Sequence, residues 1–183
     1  MKAGIIGGTG KMGRLFAPVF TRAGYETLIS GRTTAVSAQD IAGTCDIVVV
    51  SVPIRETEKV IGDIAPLMEP HQLLCDFTSI KVAPVNAMLA SKAEVIGLHP
   101  MFGPTVSSIK GQTIVVCPAR ASDETTARLT GIFTHEGAVC TTTTPEEHDR
   151  MMAVVQGLTH FVTICMADAM RRPAAISKPP SRT

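Results

Sequence analysis

The chain has 183 residues, of which 45% are hydrophobic and 18% charged, and its 17 basic and 16 acidic side chains leave a net charge of +1. This hydrophobic fraction excludes wholesale disorder, and the balanced charge argues against a broad nucleic-acid-binding or polybasic membrane-binding surface. The length suffices for one domain of ordinary size, or for one domain with an appendage.

Short β-rich runs alternate with helical stretches along the chain, which is typical of a mostly parallel sheet covered by helices on both faces. The predicted strands are 2–7, 25–30, 45–52, 72–77, 94–98, 113–117 and 138–142. The predicted helices are 11–23, 54–68, 82–91, 122–136 and 146–170. The sequence therefore predicts a doubly wound α/β fold with a C-terminal helix, in which the apolar, β-branched run 45–52 forms a central strand.

A glycine-rich loop follows the first predicted strand and opens the first predicted helix. Its sequence, GTGKMG at residues 8–13, matches GxGxxG, and in this context it predicts a Rossmann-like dinucleotide-binding turn. The predicted cofactor-binding residues of this loop are Gly8, Thr9, Gly10, Lys11, Met12 and Gly13. A Walker A loop is excluded, since Met12 stands where Ser or Thr should follow Gly–Lys. A glycine turn that binds no ligand is the alternative.

The end of the second predicted strand indicates which dinucleotide binds. An NAD site places an acidic residue about twenty residues after the loop, on the ribose 2′-hydroxyl, whereas the segment 29–34 (ISGRTT) has none. Arg32 offers a guanidinium for a 2′-phosphate, so NADP is favoured over NAD; a solvated loop arginine is the alternative. The predicted cofactor site beyond the glycine loop comprises Ser30, Arg32, Thr33, Ser51 and Pro53.

Two further segments lie at predicted strand ends, where open α/β sheets bind their ligands. They are CDFTSIK at residues 75–81 and GLHPMFGP at residues 97–104. Together with the glycine loop they resemble the prephenate/arogenate dehydrogenase family of tyrosine biosynthesis, of which the HPMFGP run is highly characteristic. The resemblance continues through EHD and QGLTHF, at residues 147–149 and 156–161.

The resemblance implies NADP-linked oxidative decarboxylation, in which a cyclohexadienol gives a hydride to the nicotinamide and loses its ring carboxylate as CO2. It implies that His99 is the catalytic base that polarises the substrate hydroxyl, and that Ser79 is a catalytic residue that holds the histidine and this hydroxyl. The substrate-binding residues it implies are Ser79, Lys81, His99, His148, Gln156 and His160. An exposed position for Lys81 and a helix-start position for His148 are the alternatives. The absence of a carboxylate from residues 105–112 favours prephenate over arogenate, whose ammonium would need one.

Family members usually carry a further, mostly helical domain after the dinucleotide-binding domain. We therefore expect a Rossmann domain at 1–144, a helix at 145–170 that corresponds to a remnant of the helical domain, and a tail at 171–183. The helix is apolar on more than one side, which predicts a homodimer through it; folding back on its own domain is the alternative.

The late arginines, Arg171 and Arg172, match no motif, and a substrate dianion without an arginine clamp should bind poorly. One alternative function is therefore a catalytically incomplete NADP(H)-binding module. Another Rossmann oxidoreductase, such as a deazaflavin-dependent NADP reductase, is the second alternative.

Cysteine usage and hydropathy indicate the compartment. The five cysteines are scattered without CxxC pairs, which predicts a reducing, cytoplasmic compartment and no metal site. The apolar segment 151–170 is interrupted by Gln156, His160 and Asp168, so neither a membrane partner nor secretion is expected. The expected partners are a small-molecule substrate and a second copy of the chain, without nucleic acid.

Overall fold

The computed structural model describes residues 1–171, so the predicted tail lies outside the described residues from residue 172 onward. The strands are β1 (Lys2–Ile6), β2 (Glu26–Ser30), β3 (Ile47–Val50), β4 (Leu73–Asp76), β5 (Glu94–Pro100), β6 (Thr113–Arg120) and β7 (Val139–Thr142). The helices are α1 (Lys11–Arg22), α2 (Ala38–Thr44), α3 (Ile54–Ile64) with a 3₁₀ turn (Ala65–Leu67), α4 (Val82–Met88), α5 (Asp123–His135) and α6 (Pro145–Arg171). All seven predicted strands and five predicted helices are confirmed.

The seven strands form one sheet in the order β2-β1-β3-β4-β5-β6-β7. The first five strands of this order are parallel, β6 runs antiparallel to β5, and β7 is parallel to β6. The chain passes from β1 to β2 on one side and then returns to β3 on the other. The carboxyl ends of β1 and β3 therefore form the switch point at which doubly wound sheets bind ligands.

Each face of the sheet carries its own hydrophobic core because successive strand side chains point to opposite faces. Ile47 and Val49 of β3 pack in one core with apolar residues of α1 and α5. Val48 and Val50 pack in the other core with apolar residues of α2, α3 and α4. This burial on both faces explains why β3 reads as a continuous apolar run and confirms the prediction of a doubly wound, mostly parallel sheet.

The sequence analysis missed helix α2. Ser37 caps this helix by accepting a hydrogen bond from the Asp40 backbone N–H at 3.0 Å, and the Asp40 carboxylate accepts one from the Ser37 N–H at 2.9 Å. This reciprocal capping box is a readable start signal. The helix has only seven residues, too few for an apolar periodicity to show.

Contacts divide the chain into two compact units, Met1–Asp149 and the segment from Arg150 onward. Within the second unit the described residues continue α6, whose large apolar side chains are mostly exposed, Leu158 by 61% and Phe161 by 64%. Helix α6 is long and apolar enough to cross a membrane, judged by its 27 residues and mean hydropathy of 1.3. Length and composition are weak support for a span, because the core helix of a soluble protein passes the same test.

Candidate functional site

The turn after β1 brings two backbone segments unusually close. Gly7 adopts a φ of +83°, in the left-handed region that favours glycine. A Cβ at Gly7 would overlap the carbonyl oxygen of Ser51, and a Cβ at Gly13 would overlap the backbone of Gly8. The loop therefore lies directly against the end of β3 and the start of α1, with no side chain between them.

Helix α1 begins at the switch point, and within residues 1–171 no side chain caps its N-terminus. Its N-cap is Gly10, which offers no side-chain hydrogen bond, and the first turn has no acidic residue. The first N–H groups of a helix have no partner within the helix and carry a partial positive charge. This uncapped end fits the pyrophosphate of a dinucleotide.

A first cleft of about 420 Å³ opens beside this helix end. Among the predicted cofactor residues, it is lined by Thr9, Gly10, Ser30, Arg32, Ser51 and Pro53. Gly8 and Gly13 pack against each other beneath the loop, while Lys11 and Thr33 are exposed outside the cleft lining. The exposed side chain of Arg32 lies at the cleft edge, as a group that meets a 2′-phosphate should.

A second cleft of about 280 Å³ adjoins the first, since Val52 lines both. It contains the two predicted catalytic residues, Ser79 and His99, together with Met12 from the glycine loop. Ser79 follows β4 and His99 stands near the end of β5, so neighbouring parallel strands deliver both side chains to one sheet edge. The aromatic ring of Phe102 and the Pro100 and Pro104 side chains give this cleft an apolar wall.

His99 is paired with His148 behind the second cleft. The His99 Nδ1 and His148 Nε2 atoms are 2.8 Å apart, and His148 is fully buried. Burial, followed by the neighbouring His148 and Lys81, lowers the pKa of His99 to about 4. His99 is therefore a neutral imidazole at physiological pH, the form that can accept a proton.

Asp149 anchors this pair to the start of α4, and the sequence analysis did not select it. Its carboxylate oxygens accept the backbone N–H of Lys81 at 2.7 Å and of Val82 at 2.9 Å. Oδ1 also lies 2.8 Å from His148 Nδ1. Burial acts to raise the pKa of Asp149, but hydrogen bonds from Val82, His148 and Lys81 outweigh it and hold the pKa below its ordinary value. Its place beside His148 in the EHD motif was the available signal.

Lys81 forms a buried ion pair beneath the site. Its Nζ lies 2.5 Å from Asp76 Oδ2, with both side chains fully buried, and it donates a second hydrogen bond to the Leu98 carbonyl at 2.7 Å. Neither Lys81 nor the equally buried His148 lines the first or second cleft, and their predicted contacts with substrate stay predictions. Exposure of Lys81, the alternative, is wrong.

Gln156 and His160 stand on α6 within the second unit, one helical turn apart as predicted, with His160 exposed. Their predicted contact with substrate stays a prediction.

A depression of about 480 Å³ between α1 and β2 contains one predicted residue, Gly8, and is lined mainly by apolar surface and arginine side chains. The chemistry-bearing groups lie in the first and second clefts instead.

The switch-point cleft, the uncapped helix and the glycine turn define a nucleotide-binding domain of the Rossmann class. Two family models match the sequence: "Prephenate dehydrogenase, nucleotide-binding domain" over residues 27–142 and "Prephenate dehydrogenase, dimerization domain" over residues 144–180. The chain belongs to the prephenate dehydrogenase family.

Curated relatives agree with this assignment. The chain is 35% identical over 186 residues to a probable arogenate/prephenate dehydrogenase of Methanocaldococcus jannaschii, covering 91% of this chain and 42% of that protein. It is 38% identical over 160 residues to the T-protein of Haemophilus influenzae, covering 87% of this chain and 42% of that protein. The chain thus spans less than half the length of these relatives.

Solved structures share the fold. Synechocystis arogenate dehydrogenase matches with a TM-score of 0.79 at 20% identity, over 92% of this chain and 69% of that chain. Prephenate dehydrogenase of Aquifex aeolicus, in complex with hydroxyphenyl propionate and NAD+, matches with a TM-score of 0.73 at 22% identity, over 92% and 69%.

Proposed function

We propose that this chain catalyses the NADP-linked oxidative decarboxylation of prephenate, with arogenate as the alternative substrate. The observation that carries the proposal is the neutral His99, which lines the second cleft with Ser79, while this cleft adjoins the first cleft at Val52. Relatives named for this activity support it, although the chain spans 42% of their length.

The chain's own groups have a limited task in this chemistry, because formation of an aromatic ring favours the reaction. The bound nicotinamide would supply a hydride acceptor. His99 would take the proton of the C4 hydroxyl while the hydride leaves C4, so the O–H electron pair stays on oxygen. The bond to the ring carboxylate then breaks, its electrons enter the ring, CO2 leaves, and the proton returns to the phenolic oxygen. Ser79 would hold the hydroxyl in place.

Turnover by the full chain tests this function directly. Formation of the reduced dinucleotide, NADPH or NADH, is followed by absorbance with prephenate and with arogenate, each with NADP and with NAD. Turnover of prephenate with NADP supports the proposal. Binding of NADP(H) without turnover of either substrate would favour the catalytically incomplete module, and turnover of a deazaflavin would favour the other oxidoreductase.

Arg32 provides a test of cofactor choice. We expect Arg32→Gln to weaken NADP binding by about 10- to 150-fold, because hydrogen bonds to a charged group contribute about 1.5–3 kcal/mol. NAD, which lacks the 2′-phosphate, should bind the variant and the wild type alike. Fluorescence titration with both dinucleotides measures the two affinities.

Arg128→Gln serves as the matched control, because Arg128 is exposed on α5 and does not line the first cleft. Equal losses of NADP and NAD affinity in Arg32→Gln would contradict a 2′-phosphate contact. Unchanged NADP affinity would do so as well.

We also propose that the chain forms a homodimer through α6. The match to a dimerization domain over residues 144–180 and the exposed apolar side chains of α6 support this.

We expect the double variant Leu158→Glu with Phe161→Glu to convert a dimer to a monomer, because burying unpaired charges at an apolar contact is strongly unfavourable. Sedimentation velocity at micromolar concentration measures the change, with the exposed Lys59→Glu as control. A monomeric wild type, or one that floats with lipid vesicles instead of dimerising, would contradict the dimer.

A further inference from the structure

We propose that His148 and Asp149 are positioning residues that hold His99 in one tautomer, with the proton on Nδ1 and the lone pair on Nε2. The proposal deepens the proposed function, and its catalytic meaning rests on that function. Its structural part concerns three side chains whose contacts exist whatever the substrate is.

Asp149 fixes which atom donates and which accepts in the hydrogen bonds that link Asp149, His148 and His99. Both of its oxygens already accept backbone N–H groups, from Lys81 and Val82. A carboxylate has no proton to donate, so the 2.8 Å contact between Asp149 Oδ1 and His148 Nδ1 requires the proton on His148 Nδ1. A neutral His148 then has its lone pair on Nε2.

The tautomer of His148 in turn fixes the tautomer of His99. His99 Nδ1 and His148 Nε2 are 2.8 Å apart, so one proton lies between them. With the lone pair on His148 Nε2, that proton belongs to His99 Nδ1. A neutral imidazole carries one proton, which leaves His99 Nε2 as an acceptor.

His99 Nε2 is open to the second cleft. Among residues 1–171, the one side-chain polar atom that is sealed from solvent without a partner is Asp76 Oδ1. His99 Nε2 makes no hydrogen bond to the described residues, so it is accessible, and His99 lines the second cleft. The lone pair is therefore presented where the substrate hydroxyl would lie.

The same contacts offer a path for positive charge. When Nε2 takes the hydroxyl proton, the substrate O–H bond breaks and the Nε2–H bond forms. The Nδ1 proton can then move to His148 Nε2, which returns His99 to neutrality and places an imidazolium against the Asp149 carboxylate. Charges facing the pair are Lys81 and Asp76 beneath the site and Asp149 at its end.

Histidine ring ¹⁵N chemical shifts test the tautomer in the full chain without substrate. We expect, at about pH 8, where an ordinary imidazole is neutral, a protonated Nδ1 and an unprotonated Nε2 on His99, and a protonated Nδ1 on His148. A wild-type spectrum with a proton on His99 Nε2, or with both His148 nitrogens protonated, would overturn the proposal.

Asp149→Asn should weaken the preference for this tautomer. With the amide oxygen at the Oδ1 position, the Lys81 and His148 contacts stay and the Val82 hydrogen bond is lost; with the NH2 there, the amide donates to His148 Nδ1 and the Lys81 hydrogen bond is lost. In the second arrangement His148 and His99 both carry their protons on Nε2, which removes the acceptor. We expect this second arrangement to appear in the spectrum, with a fall in kcat of up to about a hundredfold and unchanged NADP affinity. Asp63→Asn, an exposed change on α3, should alter neither.

These outcomes separate the inference from the proposed function. The expected spectra without turnover of prephenate or arogenate would refute the function and leave the positioning role standing. Turnover by a wild type whose His99 Nε2 is protonated would refute the positioning role alone. An unaltered His99 tautomer in folded Asp149→Asn would overturn the role of Asp149.

Discussion

Replacement of His99 by asparagine is expected to lower turnover of the cyclohexadienol substrate by about 10²- to 10⁴-fold, the range that a positioned proton acceptor contributes. Asparagine can still form a hydrogen bond in the second cleft but cannot take up a proton at neutral pH. Affinity for the dinucleotide should stay unchanged, because His99 does not line the first cleft. Initial rates of NADPH formation and a fluorescence titration measure the two effects.

His71→Asn is the matched control for this change, since His71 is an exposed histidine before β4. It should leave both turnover and cofactor affinity at the wild-type level. If His99→Asn kept wild-type turnover, the assignment of His99 as the proton acceptor would fail, whatever the variant's stability.

The pH dependence follows from the same residue. The neutral imidazole is the active form, and the pKa of His99 is about 4, so kcat/KM should hold as pH falls through about 6.5, the ordinary histidine pKa, and drop only near the lowered value. Between pH 6.5 and about 4, His99 binds a proton in the unfolded chain but stays neutral in the folded protein. The free energy of unfolding therefore decreases as pH falls from about 6.5 toward 4. A loss of kcat/KM centred near an ordinary histidine pKa would contradict the buried, neutral state of His99.

Much of the fold could be predicted because the strands carry strong local signals. The β3 run is apolar at every position since both faces are covered, and the glycine loop fixes where α1 begins. The direction of β6 was harder to predict, because an apolar strand looks the same in either direction. The signal lay in the connection between β5 and β6, which has no helix, whereas a parallel pair needs a crossover that is usually helical.

The candidate site could be predicted only as far as residue type and strand ends reveal it. Ser79 follows β4 and His99 lies near the end of the neighbouring strand β5, so their meeting in one cleft was predictable from topology. The burial of Lys81 and His148 was not predictable, because a motif indicates the chemistry of a side chain but not whether that side chain is buried or exposed. Burial of a lysine requires a counterion nearby, and Asp76 is that partner five residues earlier in the same motif.

The buried pair of Lys81 and Asp76 leads to the largest stability effect that we expect. Lys81→Met should lower the free energy of unfolding by about 3–5 kcal/mol, because removing one member of a buried ion pair leaves the other charge uncompensated. Asp76 would keep its hydrogen bonds from the Thr78 backbone N–H and hydroxyl but lose its counterion. The Leu98 carbonyl, adjacent to His99, would lose the Lys81 hydrogen bond as well. Urea unfolding followed by circular dichroism measures the change.

Lys59→Met is the matched control, because Lys59 forms an exposed pair with Asp63 at 2.8 Å, and such surface pairs contribute about 0–1 kcal/mol. The double change Lys81→Met with Asp76→Asn should recover most of the lost stability, since it removes both charges and keeps an acceptor for Thr78. Equal losses in Lys81→Met and Lys59→Met would contradict a buried ion pair. A double variant no more stable than Lys81→Met would show that the unpaired Asp76 charge is not the source of the loss, which would then come from the hydrogen bond that Lys81 donates to the Leu98 carbonyl.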